Sequence, residues 1–240
     1  MHASHPHVNG VAGGVGIDAA IKEKAPDVEI YAVKVFDREL STNAAVLVRA
    51  IDWASSRGVR LINLSLGTAK PEREEMLQSA VDRAGERGSF VVAASSHDGQ
   101  RWLPGSLRGA LGVMLDWDCD RDEVRITTDA HGSATFHASG YPRPIPNVSP
   151  ERNLKGISFA VANTTGMLAR LLEAHPDATT VADVVEAVGR RRTESDGGMR
   201  KGGQADKQGG QKRSLRTAHY SLLTLSHPRL QLLEEVEDNV

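Results

Sequence analysis

Residues 60–94 read RLINLSLGTAKPEREEMLQSAVDRAGERGSFVVAA and contain two strand signals separated by a helix signal. Arg60–Leu66 and Phe90–Ala94 are short apolar runs, and the second is apolar throughout, which is typical of a strand covered on both faces. Pro71–Arg87 predicts a helix, with its proline suited to the first turn and the glycine that follows suited to the end. A strand, a helix and a second strand in this order predict a right-handed crossover between parallel strands.

Further strand and helix signals lie on both sides of this unit. Their order predicts an α/β fold with a doubly wound, mostly parallel sheet and helices on both faces. In such sheets, binding sites form at the carboxyl ends of the strands. The predicted strands are Glu29–Phe36 and Gly109–Leu115, and the predicted helices are Ser41–Arg57, Gly156–Ala174 and Thr179–Val188.

The composition is that of an ordinary globular protein, with 240 residues, 40% hydrophobic, 25% charged and a formal net charge of −2. These values exclude a wholly disordered chain and a protein built to coat nucleic acid. No apolar run reaches the roughly 18–20 residues of a membrane helix, and the first residues have neither the basic patch nor the apolar core of a secretory signal. Cys119 is the single cysteine, which excludes an internal disulfide and a cysteine-based metal site. We therefore expect a cytoplasmic location.

Positive charge is concentrated between Gly189 and Thr217, where nine Lys or Arg residues stand against three acids, a local charge of +6. The stretch is rich in Gly and Gln and has almost no large apolar residue, so burial cannot offset the entropy cost of ordering it. No aromatic residues are interleaved for base stacking, which disfavours a nucleic-acid contact. We predict a flexible linker at 189–217, between a domain at 1–188 and a C-terminal segment at 218–240 that forms a short strand or helix and has an acidic end.

Three segments fall at the predicted carboxyl edge of the sheet. Asn63–Gly67 follows one strand, Ala94–Gly99 follows the next, and Gly156–Ala160 opens the long apolar helix. Ser158 lies in the first turn of that helix, where free N–H groups and the positive end of the helix dipole stabilise a developing oxyanion. A nucleophilic serine and a simple N-cap serine both fit this position.

The order of several motifs resembles that of the subtilisin-like serine proteases. Ala25–Asp37 (APDVEIYAVKVFD) resembles the stretch after the family's histidine helix, and Leu61–Gly67 (LINLSLG) resembles its substrate-binding strand. Phe90–Gly99 resembles the strand and turn that bear the oxyanion asparagine, and Gly156–Ala162 (GISFAVA) resembles the G-T-S-x-A-x-P nucleophile motif. The match covers most of the predicted first domain and implies a subtilisin-like fold and serine endopeptidase activity.

The resemblance also implies roles for individual residues. Ser158 would be the nucleophile that forms an acyl-enzyme, and Ser65, Leu66 and Gly67 would pair their backbone with an extended peptide or protein substrate. The oxyanion position falls on His97, whose ring N–H can donate a hydrogen bond but differs in length and reach from the family's asparagine. We expect no cofactor and no metal and, from the charge and the apolar runs described above, no nucleic acid and no membrane among the partners.

The first two members of the catalytic triad depart from the family pattern. A serine needs a histidine to take its proton and a carboxylate to orient that histidine, yet the first acidic residue here is Asp18. Two alignments of the histidine stay open. In one, His7–Gly13 (HVNGVAG) stands for H-G-T-H-V-A-G and His7 is the base; in the other, Ser4–Val8 (SHPHV) stands for the turn after the aspartate and the histidine motif is absent. The first alignment needs most of Gly10, Gly13, Gly14 and Gly16 inside a buried helix, where each costs about 1 kcal/mol relative to alanine, and this slightly favours the second alignment.

Two further clusters are weak candidates for metal sites. His2, His5 and His7 form a terminal cluster of a kind that binds metal adventitiously, if at all. The acids of Asp116–Glu123 lack the spacing and glycine of a calcium loop and indicate a solvated loop.

Two functions of different class follow from the sequence. The first is a subtilisin-like serine endopeptidase whose catalysis is impaired by the missing triad residues. The alternative is a non-catalytic relative that binds extended peptides or proteins. A chain without the family's first strand would also leave the sheet incomplete, and a partner chain would then cover the gap.

Overall fold

The computed structural model describes residues 16–33, 35, 43–130, 132–144, 146–149, 152–197 and 221–225. The helices are α1 (Ile17–Lys24), α2 (Ala44–Ser56), α3 (Glu74–Glu86), α4 (Ile157–Ala174) and α5 (Val181–Gly197). The strands are β1 (Glu29–Val33), β2 (Leu61–Leu64), β3 (Phe90–Ala94), β4 (Ser96–His97), β5 (Gln100–Arg101), β6 (Leu111–Leu115), β7 (Val124–Thr128), β8 (Ala134–Ala138) and β9 (Ser221–Leu225).

The large sheet is mostly parallel, as the sequence predicts. Its strands lie side by side in the order β1-β9-β2-β3-β6-β8-β7. Every neighbouring pair is parallel except β7 and β8, which are antiparallel. α3 connects β2 to β3, whose register aligns Leu61 with Phe90 and Leu64 with Ala93. The carboxyl ends of β2 and β3 therefore meet at one edge of the sheet.

Helices pack on both faces of this sheet, which confirms the doubly wound α/β architecture. Phe90 and Val92 of β3 belong to a core that includes residues of α1, α4 and α5. Val91 and Ala93 belong to a second core with α2 and α3. Alternate residues of one strand thus enter opposite layers, and all five residues of β3 are buried.

The ends of α2 and α3 follow from local sequence. The Asn43 side chain accepts a hydrogen bond from the Val46 backbone N–H at 2.9 Å and caps the start of α2. Pro71 begins a short 3-10 turn that leads into α3. Gly58 and Gly88 follow the two helices with φ angles of 72° and 76°, a left-handed conformation that glycine adopts without strain.

Several element boundaries differ from the prediction. β2 ends at Leu64 and not at Leu66, so that the next residues leave the strand and become available at the edge of the sheet. β7 and β8 lie between the predicted strand at Gly109–Leu115 and the predicted helix at Gly156–Ala174, where no element is predicted from the sequence; they form an antiparallel hairpin, and β8 also pairs in parallel with β6. α5 continues past residue 188 to Gly197, and β9 makes residues 221–225 a strand. The predicted domain and linker boundaries at 188 and 217 stay predictions.

No helix in the described part of the chain is both long enough and apolar enough to cross a bilayer.

Candidate active site

The candidate site lies where β2, β3 and the start of α4 converge. Ser65, Leu66 and Gly67 follow β2 directly and are half-buried. The small hairpin of β4 and β5 follows β3, and it is joined to the strand by the Trp102 N–H, which donates to the Ser95 carbonyl at 2.9 Å. This is the edge at which a parallel sheet presents its functional side chains.

Ser158 occupies the first turn of α4, and glycines allow that turn to come close to the sheet. Gly156 caps the helix with a φ of 144°, a value that L-residues with a side chain rarely adopt. Its N–H donates to the Gly140 carbonyl at 2.9 Å, just after β8. A Cβ on Gly140 would lie 2.3 Å from the Leu115 side chain, so only glycine permits this approach. The half-buried Ser158 is thereby held at the carboxyl edge of the sheet.

A chain of hydrogen bonds connects the segment after β2, where the substrate is predicted to bind, to α4, which carries the predicted nucleophile. The Ser65 hydroxyl donates to the Ser158 carbonyl at 3.3 Å, and the Asn63 amide N–H donates to the Ser65 hydroxyl at 3.2 Å. The Thr165 hydroxyl lies 2.9 Å from the Asn63 amide oxygen, and both residues are fully buried. Buried polar groups that satisfy one another fix a single packing arrangement. The relative position of Ser65 and Ser158 is therefore determined by side chains inside the core.

A second buried amide attaches α4 to the end of β8. The Asn163 side-chain N–H group donates to the Ser139 carbonyl at 2.8 Å and to the Tyr141 carbonyl at 3.0 Å. Because Asn163 is fully buried, these two bonds offset much of its desolvation cost. The nucleophile helix is thus held by polar contacts on two sides, to β2 and to the segment after β8.

Gly67 packs closely against the hairpin side of the site. A Cβ at this position would lie 2.2 Å from the Trp102 indole nitrogen and 2.4 Å from the Leu103 carbonyl oxygen. Next to it, Thr68 and Leu103 exchange backbone hydrogen bonds of 2.9 and 2.8 Å. The backbone of the predicted substrate strand is therefore fixed against the segment that follows β5.

His97, the predicted oxyanion donor, lies in the exposed hairpin of β4 and β5. Its ring makes an edge contact with Trp102 at a centroid distance of 5.4 Å. Its Nε2 lies 3.5 Å from a carboxylate oxygen of Asp98. Asp98 and Gly99 have φ angles of 49° and 75°, which is the geometry of a two-residue hairpin turn of type I′. The structure thus brings His97 to the same edge as Gly67, with Trp102 between them.

An ion pair anchors this hairpin to α3. The Arg101 guanidinium donates to both carboxylate oxygens of Glu74, at 2.6 and 2.7 Å. These hydrogen bonds from Arg101 lower the pKa of Glu74. A bidentate pair restricts orientation as well as distance, so it limits how far the hairpin can move.

Exposed aromatic rings and a lysine border the start of α4. Trp117 is 46% exposed and packs against Tyr141 at a centroid distance of 5.0 Å. The Lys155 ammonium lies 5.7 Å and 5.8 Å from the two ring centroids, within cation–π range. Lys155 immediately precedes Gly156, so this cluster adjoins the start of α4.

The weak metal candidates were also located. In the part of the chain that the structure describes, no group of three or more His, Cys, Asp or Glu side chains is arranged to hold a metal ion. Within Asp116–Glu123, Asp116 and Glu123 pair with Arg125, and Asp122 pairs with Lys24. His2, His5 and His7, including the candidate base, lie outside the described residues.

Sequence reasoning missed Asn163, Thr165 and Trp102. A signal for the first two was present, because Asn163-Thr-Thr165 is a polar run in the middle of an otherwise apolar helix, and polar residues there require buried partners. Trp102 had no such signal, since its role follows from its contacts with Gly67 and His97.

Comparison with known proteins identifies the family of this chain. The model of the subtilase family matches residues 2–209. Minor extracellular protease Epr of Bacillus subtilis is 39% identical over 189 residues, which covers 73% of this chain and 27% of Epr. Subtilisin Savinase of Lederbergia lenta is 29% identical over 161 residues, which covers 67% of this chain and 56% of the relative.

Among solved structures, the prenylagaramide maturation protease PagA is 25% identical with a TM-score of 0.43, covering 57% of this chain and 52% of PagA. The chain spans between 40% and 56% of the length of curated alkaline proteases and subtilisins that it matches. The family match extends over most of the sequence and includes the motifs around Ser65 and Ser158. The chain therefore belongs to the subtilase family.

Proposed function

We propose that this chain is a subtilase peptidase domain that binds an extended peptide along Ser65–Gly67 and cleaves it at Ser158. The observation that carries the proposal is the contact between these two segments, in which the Ser65 hydroxyl lies 3.3 Å from the Ser158 carbonyl. A peptide paired with the backbone after β2 would pass beside the first turn of α4. The main-chain hydrogen bonds of the peptide would supply most of the affinity, and its side chains would supply the specificity.

The chemistry proposed for Ser158 is acyl transfer. The hydroxyl oxygen attacks the scissile carbonyl carbon, its proton passes to a base, and the amine leaves with that proton. Water then cleaves the acyl-enzyme and regenerates the hydroxyl. The hydrogen bond from Ser65 is accepted by the Ser158 carbonyl, so the Ser158 hydroxyl is not used by it. His7 is the candidate base from the sequence.

Two donors are proposed for the oxyanion. One is the backbone N–H of Ser158, since the first N–H groups of a helix have no partner within it. The other is the imidazole of His97, at the end of the neighbouring strand. The Asp98 carboxylate at 3.5 Å and the Trp102 ring restrain that imidazole. Positioned donors of this kind are worth about 3 kcal/mol of transition-state stabilisation.

The second candidate function is peptide binding without turnover. It is supported by His97, which stands at the predicted oxyanion position and lies in an exposed hairpin with its Nε2 3.5 Å from an Asp98 carboxylate oxygen. An imidazole differs in length and reach from the asparagine amide of the family pattern, and a weaker oxyanion donor would slow turnover without preventing peptide binding. In this case Ser65–Gly67 would still accept an extended peptide or protein.

The two candidates are separated by labelling the purified protein with a fluorophosphonate probe. The probe reacts only with an activated serine, whose oxygen displaces fluoride from phosphorus. Labelling that is lost in Ser158→Ala supports the peptidase, and its loss in His7→Ala as well assigns His7 as the base. The control is Ser79→Ala, on the exposed side of α3, which should label as the parent does.

A folded protein that does not label overturns the peptidase proposal. The binding candidate is then tested by titrating the same protein with a set of unlabelled peptides and following its tryptophan fluorescence. Trp102 touches Gly67, so a peptide that occupies the strand should change its emission. A peptide set that produces no change would overturn the binding candidate too.

A further inference from the structure

The C-terminal strand β9 is inserted between two strands that come much earlier in the sequence. Its residues pair in parallel with all five residues of β1, from Glu29 with Ser221 to Val33 with Leu225. On its other side they pair in parallel with all four residues of β2, from Leu61 with Leu222 to Leu64 with Leu225. β1 and β2 are not neighbours in the sheet, and within the described strands β1 is joined to the sheet through β9 alone.

Removal of β9 would leave an unpaired gap in the buried part of the sheet. All four residues of β2 are buried, and Ile62 and Leu64 are fully inaccessible. A buried N–H or C=O that loses its partner destabilises the fold because it is desolvated without a hydrogen bond in return. Two strand spacings separate β1 from β2, about 10 Å, which is room for one extended segment. The gap is therefore a site for one parallel strand.

The chain between α5 and β9 is long enough for this chain's own C-terminal segment to reach the gap. Residues 198–220 would span at most about 75 Å when fully extended, more than the dimension of a domain of this size. A covalent connection long enough to span the distance gives its attached segment an effective concentration of the order of millimolar. A segment of the same chain then competes well against a second copy at ordinary protein concentrations.

The inserted strand is coupled to the candidate site through β2. Thr224 is aligned with Asn63, and Leu225 is aligned with Leu64, which directly precedes Ser65. The Asn63 side chain in turn holds Thr165 of α4 and the Ser65 hydroxyl. A strand that fixes β2 thus fixes the distance between the substrate segment and the nucleophile turn.

We propose that the gap between β1 and β2 is a strand-binding site whose occupant is this chain's own segment Ser221–Leu225, and that its insertion assembles the edge that holds Ser65 and Ser158. The strand-binding step stands on the pairing alone. Only the last step, the effect on the Ser158 edge, rests on the proposed function.

Hydrogen exchange followed by mass spectrometry tests the insertion in the full chain. Amides of 221–225 should exchange at least about 100-fold more slowly than an unstructured chain, in step with those of Leu61–Leu64. Thr224→Pro removes a ladder N–H and should raise exchange in β1 and β2 while β7 and β8, at the far end of the sheet, stay protected. The matched control is Thr217→Pro, upstream of the strand. Rapid exchange of 221–225 beside protected β1 and β2 would overturn the proposal.

A second design covers the case in which Thr224→Pro unfolds the protein. A cleavage sequence for a specific protease is inserted between Gly209 and Gly210 of the full chain, and the folded protein is cut. We expect the C-terminal piece to stay bound in a complex of monomer mass and to be replaced by excess labelled peptide of residues 216–230. Release of the piece with β2 exchange unchanged contradicts the proposal. A dimer of the uncut chain in which copies exchange their C-terminal pieces assigns the gap to a second copy and contradicts it too.

Fluorophosphonate labelling separates this proposal from the proposed function. If the parent labels, Thr224→Pro should label at least about 10-fold more slowly while Thr217→Pro is unchanged. If the parent does not label, the proposed peptidase fails, and the exchange data still decide whether β9 occupies the gap.

Discussion

Asn63 and Thr165 are separated by 102 positions in the sequence and meet in the core, where the Thr165 hydroxyl lies 2.9 Å from the Asn63 amide oxygen. One residue is in the strand that precedes the substrate segment, and the other is in the helix that carries Ser158. Both side chains are fully buried, so neither can exchange its partner for water. Because this contact joins β2 to α4, it fixes the position of the segment after β2 relative to the first turn of α4.

Replacing Thr165 by valine removes this hydroxyl, which also lies 2.7 Å from the Val161 carbonyl oxygen, while keeping the shape of the side chain. The Asn63 amide oxygen then loses its partner in the core and the Val161 carbonyl loses a second donor, and the free energy of unfolding should fall by about 1–3 kcal/mol. Thr164→Val is the matched control, because Thr164 is equally buried but its hydroxyl has no hydrogen-bond partner. Urea unfolding of the three proteins measures the difference. Equal stabilities of the two variants would show that the Asn63 contact has no net value.

Gly67→Ala should disrupt the substrate edge. The new Cβ would lie 2.2 Å from the Trp102 indole nitrogen and 2.4 Å from the Leu103 carbonyl oxygen, and the backbone oxygen cannot rotate away as a side-chain end can. We expect a loss of about 1–3 kcal/mol of stability from overpacking and a loss of peptide-induced tryptophan fluorescence change. The control is Ala69→Ser, at an exposed position two residues further along. Peptide binding that survives Gly67→Ala would place the substrate elsewhere.

The central part of the fold could be predicted from the sequence because its signals are local. Phe90–Ala94 is apolar throughout, and the structure makes it a fully buried strand with these bounds. The glycines after α2 and α3 end those helices in the left-handed conformation that the residue type indicates. The start of α4 was also predictable, since Gly156 precedes an apolar run that contains Ser158, whereas the role of Ser158 as nucleophile stays a prediction.

Features that depend on distant parts of the chain could not be predicted in this way. No local pattern indicates that Ser221–Leu225 lies between β1 and β2, because its neighbours are set by tertiary pairing. The same holds for the Trp102 contacts with Gly67 and His97. The helix α5 continues through the arginines of the predicted linker because arginine and glutamate are good helix formers, a property that composition alone underestimates.

The ion pair between Lys24 and Asp122 should make stability depend on pH in the acid range. The Lys24 side chain is only 6% exposed, and its hydrogen bond lowers the pKa of Asp122 below the ordinary value of about 4. A carboxyl whose pKa is lowered in the folded state contributes stability above its unfolded pKa, and that contribution disappears as the pH falls through the folded pKa. The pair should thus stabilise the protein at neutral pH and lose its effect below about pH 4.

Asp122→Asn tests this dependence. The Asp122 side chain is 84% exposed, so solvent screening limits the expected loss at pH 7 to about 1 kcal/mol. The difference from the parent should shrink to zero on acidification, as measured by urea unfolding at pH 7, 5 and 3. Asp177→Asn is the control, since it removes an acid outside this pair. A difference that is the same at all three pH values would mean that the charge of Asp122 is not what matters.

The crossing of α1 and α4 should tolerate no side chain at Gly166. An added Cβ would lie 2.9 Å from the Ile21 carbonyl oxygen and 2.9 Å from the Lys24 Cβ, so α1 would have to move away from α4. Gly166→Ala should therefore lower the free energy of unfolding by about 1–3 kcal/mol despite the better helix propensity of alanine. Gly85→Ala, in α3, is the opposite case, because no atom lies within 4 Å of its added Cβ. That variant should gain about 0.5–1 kcal/mol from helix propensity. Because the two substitutions are chemically identical, changes of opposite sign in the free energy of unfolding, measured by urea titration, would assign the difference to the helix contact. A stabilising Gly166→Ala would show that α1 and α4 are further apart than the structure places them.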